Sequence, residues 1–303
     1  MTTEAIAPPS TKSQVLSSYD VADFPALVGL EEEWRFTPLK RLRELATATA
    51  GAGKALGVEF AELPEGVSVR QVDAAAVQPV LKPFDRVSAL AFGGAAEVTL
   101  IEIGDEVEPS GPVLVQLVGQ GVDAPSYART FVKVGRFAKA TLVLEQSGSA
   151  TLADNIEVVV DDGAQLTLVT VADWAGDAVQ AQHVKLRVGR DAKAVHVQVT
   201  LGGDLVRQFA SVEYAGRGGE AELYGLYFAG AGQHFEHRQL VDHSVPDCRS
   251  YVGYRGALQG DDAHTVWVGD VLIRAAATGT ETYEINRNLL LTDGARADSV
   301  PNL

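Results

Sequence analysis

The sequence predicts a mostly β protein built as a parallel β-helix, or solenoid. A Gly or Asp turn, then a small residue, then an alternating apolar strand return about every 27 residues, as in segments 160–169, 188–197 and 215–224. The recurring turn residues are Gly135, Gly163, Asp191 and Gly218. Turns at a constant spacing let successive coils stack in register and bury one continuous apolar stripe.

Period-2 alternation supports the strand assignment. Val195, Val197, Val199 and Leu201 share one face of an extended segment, and we expect this apolar face to point inward. Leu166 and Leu168 compete for the interior in the same way one coil earlier. A β-sandwich also has short strands, but it lacks similar turns at one fixed period, so the solenoid is favoured.

The chain divides into three predicted parts. Residues 1–12 are polar and contain prolines, and they are predicted to be a disordered tail because they offer little apolar surface to bury. Residues 13–66 are predicted to be an N-terminal helical part and linker, since apolar residues recur at helical spacings between Tyr19 and Ala50. Residues 67–303 are predicted to be the parallel β-helix core.

Composition excludes several classes of function. The 303 residues are 46% hydrophobic, enough for a sizeable core, and carry 40 acidic against 25 basic side chains, a net charge of −15. Such a surface repels nucleic acid and anionic membranes, so neither is expected as a partner. The single cysteine excludes a disulfide framework within the chain. The first residues do not form a signal peptide, and we expect a cytoplasmic protein.

Short motifs follow one another in a fixed order between residues 31 and 303. They occupy residues 31–39 (Glu-Glu-Glu-Trp-Arg-Phe-Thr-Pro-Leu), 173–177, 241–250, 254–258, 280–281, 286–291 (Asn-Arg-Asn-Leu-Leu-Leu) and 299–303 (Ser-Val-Pro-Asn-Leu). In this order they resemble the SufB/SufD family of SUF iron–sulfur cluster assembly proteins. The motif residues singled out are Trp34, Arg35, Asn286, Asn288 and Pro301.

The resemblance implies a right-handed parallel β-helix preceded by helices. It favours SufD over SufB, because SufB members carry a sulfur-accepting cysteine in the middle of the β-helix and this chain has no cysteine before Cys248. Glu284 stands where many members have glutamine. The family usually continues past Leu303 into a further strand and a C-terminal helical domain, so the resemblance indicates a C-terminally truncated chain.

The implied function is that of a scaffold subunit and not an enzyme. It would pair with SufB, β-helix to β-helix, and would work with the SufC ATPase, which docks mainly through the missing C-terminal domain. No intrinsic cofactor is implied; iron or an iron–sulfur cluster would be present only transiently in the assembled complex, with a role for this subunit in bringing in iron. An open solenoid end also predicts self-association.

Two residues are candidate metal ligands. His243 matches a histidine that recurs in the family, and Cys248 offers a sulfur ligand, although a lone cysteine is more often a small buried residue. His234 and Glu236 face one side of an extended strand while His237 and His243 face the other, so this cluster is not expected to converge on one ion. His264 is expected to decorate a solenoid corner.

Other classes of function remain open. A β-helix carbohydrate-active enzyme would use paired carboxylates, and Asp161–Asp162 and Asp261–Asp262 are adjacent acids, but turn chemistry explains both pairs better. A stand-alone structural or adhesive solenoid would assemble with itself and need no partner. Gly51–Lys54 lacks the spacing of a phosphate-binding loop, so no nucleotide site is predicted.

Overall fold

The computed structural model describes residues 16–49, 51 and 53–302. The tail predicted for residues 1–12 lies outside this described part. Short 3₁₀ helices span Val21–Asp23, Glu32–Trp34, Leu39–Ala46 and Ala74–Ala76, and one α-helix, α1, spans Arg86–Gly94. The strands are β1 Gly57–Phe60, β2 Val67–Asp73, β3 Glu97–Ile103, β4 Val113–Val134, β5 Lys139–Val160, β6 Gln165–Trp174, β7 Val179–Val188, β8 Lys193–Thr200, β9 Leu205–Tyr214, β10 Glu220–Ala229, β11 His234–His243, β12 Arg249–Leu258, β13 His264–Ile273, β14 Glu281–Leu290 and β15 Arg296–Asn302.

The strands confirm the predicted parallel β-solenoid. From β6 onward, consecutive strands alternate between two parallel ladders, one ordered β6-β8-β10-β12-β14 and the other β7-β9-β11-β13-β15. β5 is long enough to pair with β6 through its first half and with β7 through its second half, so it joins the two ladders. Each coil therefore adds one strand to each ladder.

The coil length agrees with the period of the turns. Successive register partners are 28 residues apart from Gln165 to Lys193, 27 from Lys193 to Glu220, 29 from Glu220 to Arg249, and 32 from Arg249 to Glu281. The coils thus lengthen toward the C-terminal end, where longer turns connect the strands.

The turns place a residue with positive φ at each repeat. Gly163, Asp191 and Gly218 have φ of 70°, 52° and 76°, as their turn chemistry requires. In the preceding turn, which contains Gly135, the residue with left-handed backbone angles is Phe137, with φ of 57°, and not Gly135. Aspartate and glycine tolerate this conformation, which explains why they return with the coil period.

The inward face of β8 corrects the sequence-based expectation. Val195, Val197 and Val199 do share one face, but it is the half-exposed outer face. The buried inner face carries Ala194, His196, Gln198 and Thr200. Hydrophobicity alone selects the wrong face here, because this part of the interior is polar.

An N-terminal layer covers the β7-β9-β11 ladder. Leu42 and Leu45 of the third 3₁₀ helix are fully buried against residues that include Val179 and Leu205. α1 lies within the range predicted as β-helix core, and the Arg86 guanidinium at its start donates to N-terminal backbone carbonyls. In the part of the chain that the structure describes, no helix is both long and apolar enough to cross a membrane.

Candidate functional site

The solenoid interior contains a buried carboxyl group held by three glutamine amides. The Nε2 atoms of Gln182, Gln146 and Gln180 donate to the Asp154 carboxylate at 2.7, 3.1 and 3.2 Å. Burial raises the pKa of Asp154 to about 6, although the three hydrogen bonds oppose this shift. Asp154 is therefore a buried acid that titrates close to neutral pH.

A row of hydrogen-bonded polar side chains continues from Gln182 into later coils of the solenoid interior. Gln208 donates to Gln182 at 3.3 Å, the Thr200 hydroxyl donates to Gln208 at 3.2 Å, and Nε2 of His237 lies 2.9 Å from the Thr200 oxygen. Burial lowers the pKa of His237 to about 3, so its imidazole is neutral at physiological pH.

In the last coil, the polar interior includes Asn286 and Asn288, the two asparagines of the sequence motif. The Tyr227 hydroxyl donates to Oδ1 of Asn288 at 2.6 Å and accepts from Nδ2 of Asn286 at 2.9 Å. Nδ2 of Asn288 and the Ser299 hydroxyl both donate to Oδ1 of Asn286, at 2.6 and 2.5 Å. Burial raises the pKa of Tyr227 to about 12, although these asparagines oppose it. The two asparagines thus link β10, β14 and β15 across the interior.

The sequence analysis did not predict the buried polar side chains of the earlier coils. The available signal was the alternation itself, since Gln180 and Gln182, or His196, Gln198 and Thr200, sit at every second position of a strand. Polar residues with this period form a face as surely as apolar residues do.

His243 and Cys248 are brought to one corner, where β11 ends and β12 begins. Nε2 of His243 lies 2.9 Å from the Ser250 hydroxyl, and the imidazole stacks on Tyr214 with ring centroids 4.9 Å apart. Burial lowers the pKa of His243 to about 4, and burial raises that of the Cys248 thiol. Cys248 is therefore a neutral thiol at physiological pH.

Cys248 occupies a position that recurs in each coil. It directly follows Asp247, whose φ is 57°, as Ala164 follows Gly163 and Ala192 follows Asp191. All three small residues are fully or almost fully buried. Within residues 16–49, 51 and 53–302, no group of three or more His, Cys, Asp or Glu side chains has a metal-binding arrangement. The metal role of His243 and Cys248 stays a prediction.

The side chains of β11 divide between the two faces of the strand, as the alternation predicts. His237 contacts Thr200 inside the solenoid, whereas Glu236 on the outer face accepts a hydrogen bond from the Thr37 hydroxyl at 2.5 Å. Glu236 also lies 2.5 Å from Nε of Arg238 and 3.5 Å from Nε of Arg207. This buried ion cluster joins the N-terminal layer to the solenoid.

Trp34 and Arg35 have different surroundings. The Trp34 ring is buried beneath the Arg207 guanidinium, whose carbon lies 3.8 Å from the ring centroid. Arg35 is partly exposed, pairs with Glu32 at 2.6 Å and lies over the Phe36 ring. Trp34 thus packs the N-terminal layer onto the solenoid, while Arg35 stays at the surface.

β14 and β15 form the edges of the two ladders in the described part of the chain. Each is paired with only one earlier strand, β12 or β13, and Pro301 in β15 lacks an amide hydrogen, which suits an edge. Tyr283, Leu289 and Leu290 on β14 are 55%, 60% and 51% exposed. An exposed apolar surface of this kind is typical of a protein–protein interface.

Comparisons with known proteins agree with this architecture. Residues 117–303 match the family model for the SUF system FeS cluster assembly SufBD core domain. An iron–sulfur cluster assembly SufBD family protein of Mycobacterium tuberculosis is 49% identical over 301 residues, covering 96% of this chain and 75% of the relative. A protein of the same description from Mycobacterium leprae is 46% identical, covering 96% and 76%. The chain belongs to the SufBD family of SUF iron–sulfur cluster assembly proteins.

Proposed function

We propose that this chain is the SufD-like scaffold subunit of a SUF assembly complex, in which it pairs with SufB through β14 and β15. The supporting observation is the exposed apolar surface of β14, on which Tyr283, Leu289 and Leu290 are each more than half exposed. A related solenoid that packs against this part of the chain can bury these apolar side chains.

The SufD-like assignment rests on the cysteine content. The chain has one cysteine, and Cys248 occupies a buried corner with its thiol protonated at neutral pH. A thiol that accepts sulfur needs thiolate character and access to its donor. This subunit therefore shapes the assembly site and contributes to bringing in iron, while the sulfur-accepting cysteine belongs to SufB. We further propose that this subunit works with the SufC ATPase and contacts the iron–sulfur cluster only transiently. The complex is proposed to be cytoplasmic.

Co-purification tests the proposal. The untagged chain is co-expressed with tagged SufB and SufC from the same organism, and we expect it to elute with them in a fixed ratio. The double variant Leu289→Lys/Leu290→Lys places two charges on the β14 edge and is expected to reduce recovery at least tenfold. Leu226→Lys is the matched control, because Leu226 is 57% exposed on β10 of the same ladder but lies away from the edge.

Each result is informative. Equal loss of recovery with Leu226→Lys would show that the edge is not the contact surface. Separate elution of the unmodified chain would overturn the scaffold proposal. Sedimentation of the chain alone then tests self-association through the same edge, which the double variant should also weaken.

A further inference from the structure

Two histidines from adjacent coils meet at the mouth of an open cavity. His234 begins β11 and His264 begins β13, and the two are register partners. Their Nδ1 atoms are 3.2 Å apart, and their ring planes make an angle of 70°, so the rings meet edge to face and do not stack. The cavity beside them has a volume of about 540 Å³.

The far nitrogen of each ring points to a carboxylate. Nε2 of His264 lies 2.7 Å from Oδ2 of Asp298, and Nε2 of His234 lies 3.7 Å from Oε2 of Glu236. Arg296 donates a further hydrogen bond to Oδ1 of Asp298 at 3.0 Å. Carboxylates behind imidazoles are the usual outer partners of metal-binding histidines, whose ring orientation and tautomer they fix.

The tautomers leave a place for a cation. If both rings carry their hydrogen on Nε2, facing the carboxylates, two Nδ1 lone pairs face each other at 3.2 Å. If one ring instead carries its hydrogen on Nδ1 and donates to the other, a lone pair faces a carboxylate. Either the buried Nε2 of His234, which has no hydrogen-bond partner, faces Glu236, or Nε2 of His264 faces Asp298. A positive ion between the Nδ1 atoms removes the conflict in the first arrangement.

The separation of the two Nδ1 atoms fits a shared metal ion. With metal–nitrogen distances of about 2.0–2.1 Å, two imidazole nitrogens on one ion are separated by about 2.9 Å at a right angle and about 3.3 Å at a tetrahedral angle. The observed separation of 3.2 Å lies between these values.

Charges around the cavity are balanced. Arg41 pairs with Asp204 at 2.7 Å, Arg35 pairs with Glu32, and Arg296 lies 2.9 Å from Asp298. Asp262 also lines the cavity. The nearby guanidinium groups are thus neutralised by partners of their own, and the open cavity leaves room for water ligands.

We propose that His234 and His264 bind one divalent first-row transition-metal ion through their Nδ1 atoms, with water in the cavity completing its coordination. Imidazole ligands suit zinc, copper, iron, cobalt and nickel ions, and they disfavour calcium and magnesium. The site differs from the corner of His243 and Cys248, and it does not depend on the proposed assembly role.

Metal titration of the untagged, chelator-treated chain tests the proposal. Zn²⁺ binding is measured by calorimetry, and Co²⁺ binding is measured by visible absorption, which reports the coordination geometry of the ion. We expect one equivalent of either ion to bind, and His264→Asn, at a partly exposed position, to weaken binding at least tenfold. Because His234 is buried, His234→Asn is interpreted only if its circular dichroism and melting temperature match those of the unmodified chain.

His243→Asn and Cys248→Ser test whether the ion binds at their corner instead, and binding between His234 and His264 requires that both variants keep the affinity of the unmodified chain. Zn²⁺ should also raise the melting temperature of the unmodified chain but not that of His264→Asn. Equal affinity of the unmodified chain and His264→Asn, or no stoichiometric binding, would refute the site. Loss of binding in His243→Asn or Cys248→Ser alone would move the ion to that corner and also overturn the proposal.

Discussion

Replacing Asp154 with asparagine is expected to remove a pH-dependent loss of stability. The pKa of Asp154 is raised from 3.8 to about 6 in the folded chain, so between these values the folded state binds more protons than the unfolded state. The favourable contribution of the protonated carboxyl is fully present below pH 3.8 and is lost as pH rises through 6. Asparagine at this position cannot ionise, so this loss does not occur.

The magnitude follows from the size of the shift. A difference of about 2 pKa units corresponds to about 3 kcal/mol, of which about 2 kcal/mol falls between pH 4.5 and pH 8. Asparagine also replaces one accepting oxygen with a donor among the amides of Gln146, Gln180 and Gln182, which adds a constant cost. The change of the difference with pH, and not its absolute value, is therefore the quantity to measure.

Urea unfolding at pH 4.5, 5.5, 6.5 and 8 measures this change. The stability of the variant relative to the unmodified chain should rise by about 2 kcal/mol across the series. Asp293→Asn, at an exposed position before β15, is the control for removal of one surface charge. A relative stability that varies by less than about 0.5 kcal/mol would refute the assignment of a buried, titrating acid to Asp154.

Two further substitutions test packing. Gly225→Ala places a methyl group 1.9 Å from the Tyr254 ring and is expected to cost about 1–3 kcal/mol in urea unfolding, whereas Gly93→Ala meets nothing within 4 Å in α1 and is expected to be neutral or stabilising. If both changes have equal effects, close packing at Gly225 is not the cause. Glu236→Gln removes the anion that faces Arg207 and is expected to cost about 3–5 kcal/mol, with faster proteolysis of the N-terminal layer. Unchanged stability and proteolysis would show that this ion cluster does not hold the layer in place.

The sequence predicts the solenoid because its turns must repeat. A left-handed residue is needed once in every coil, and the Gly and Asp residues that tolerate it, such as Gly163 and Asp191, mark the period before any contact is known. The helical spacing near the N-terminus likewise predicts the buried side chains of Leu42 and Leu45. Local backbone chemistry and apolar periodicity carry these two predictions.

The histidine pair could not be found along one strand. Residues 234–243 suggest a cluster of ligands, yet alternation separates its members, and the partner of His234 is His264, thirty residues later. Coil lengths in this solenoid vary from 26 to 32 residues, so an average period does not give the register to within one residue. Contacts between coils therefore need the structure.

The polar interior explains how β8 keeps its register. A shift by one residue would turn Val195, Val197 and Val199 inward and expose His196 and Gln198, which hydrophobicity alone would favour. The observed register keeps the hydrogen bond between His196 and Thr170 and the one between Gln198 and Tyr254. The shifted strand would leave Thr170 and Tyr254 buried without these partners, at a cost of about 1–3 kcal/mol for each group. Buried polar side chains therefore specify which face of β8 points inward. The valines lie on the outer face because the hydrogen bonds of His196 and Gln198 fix the register of the strand.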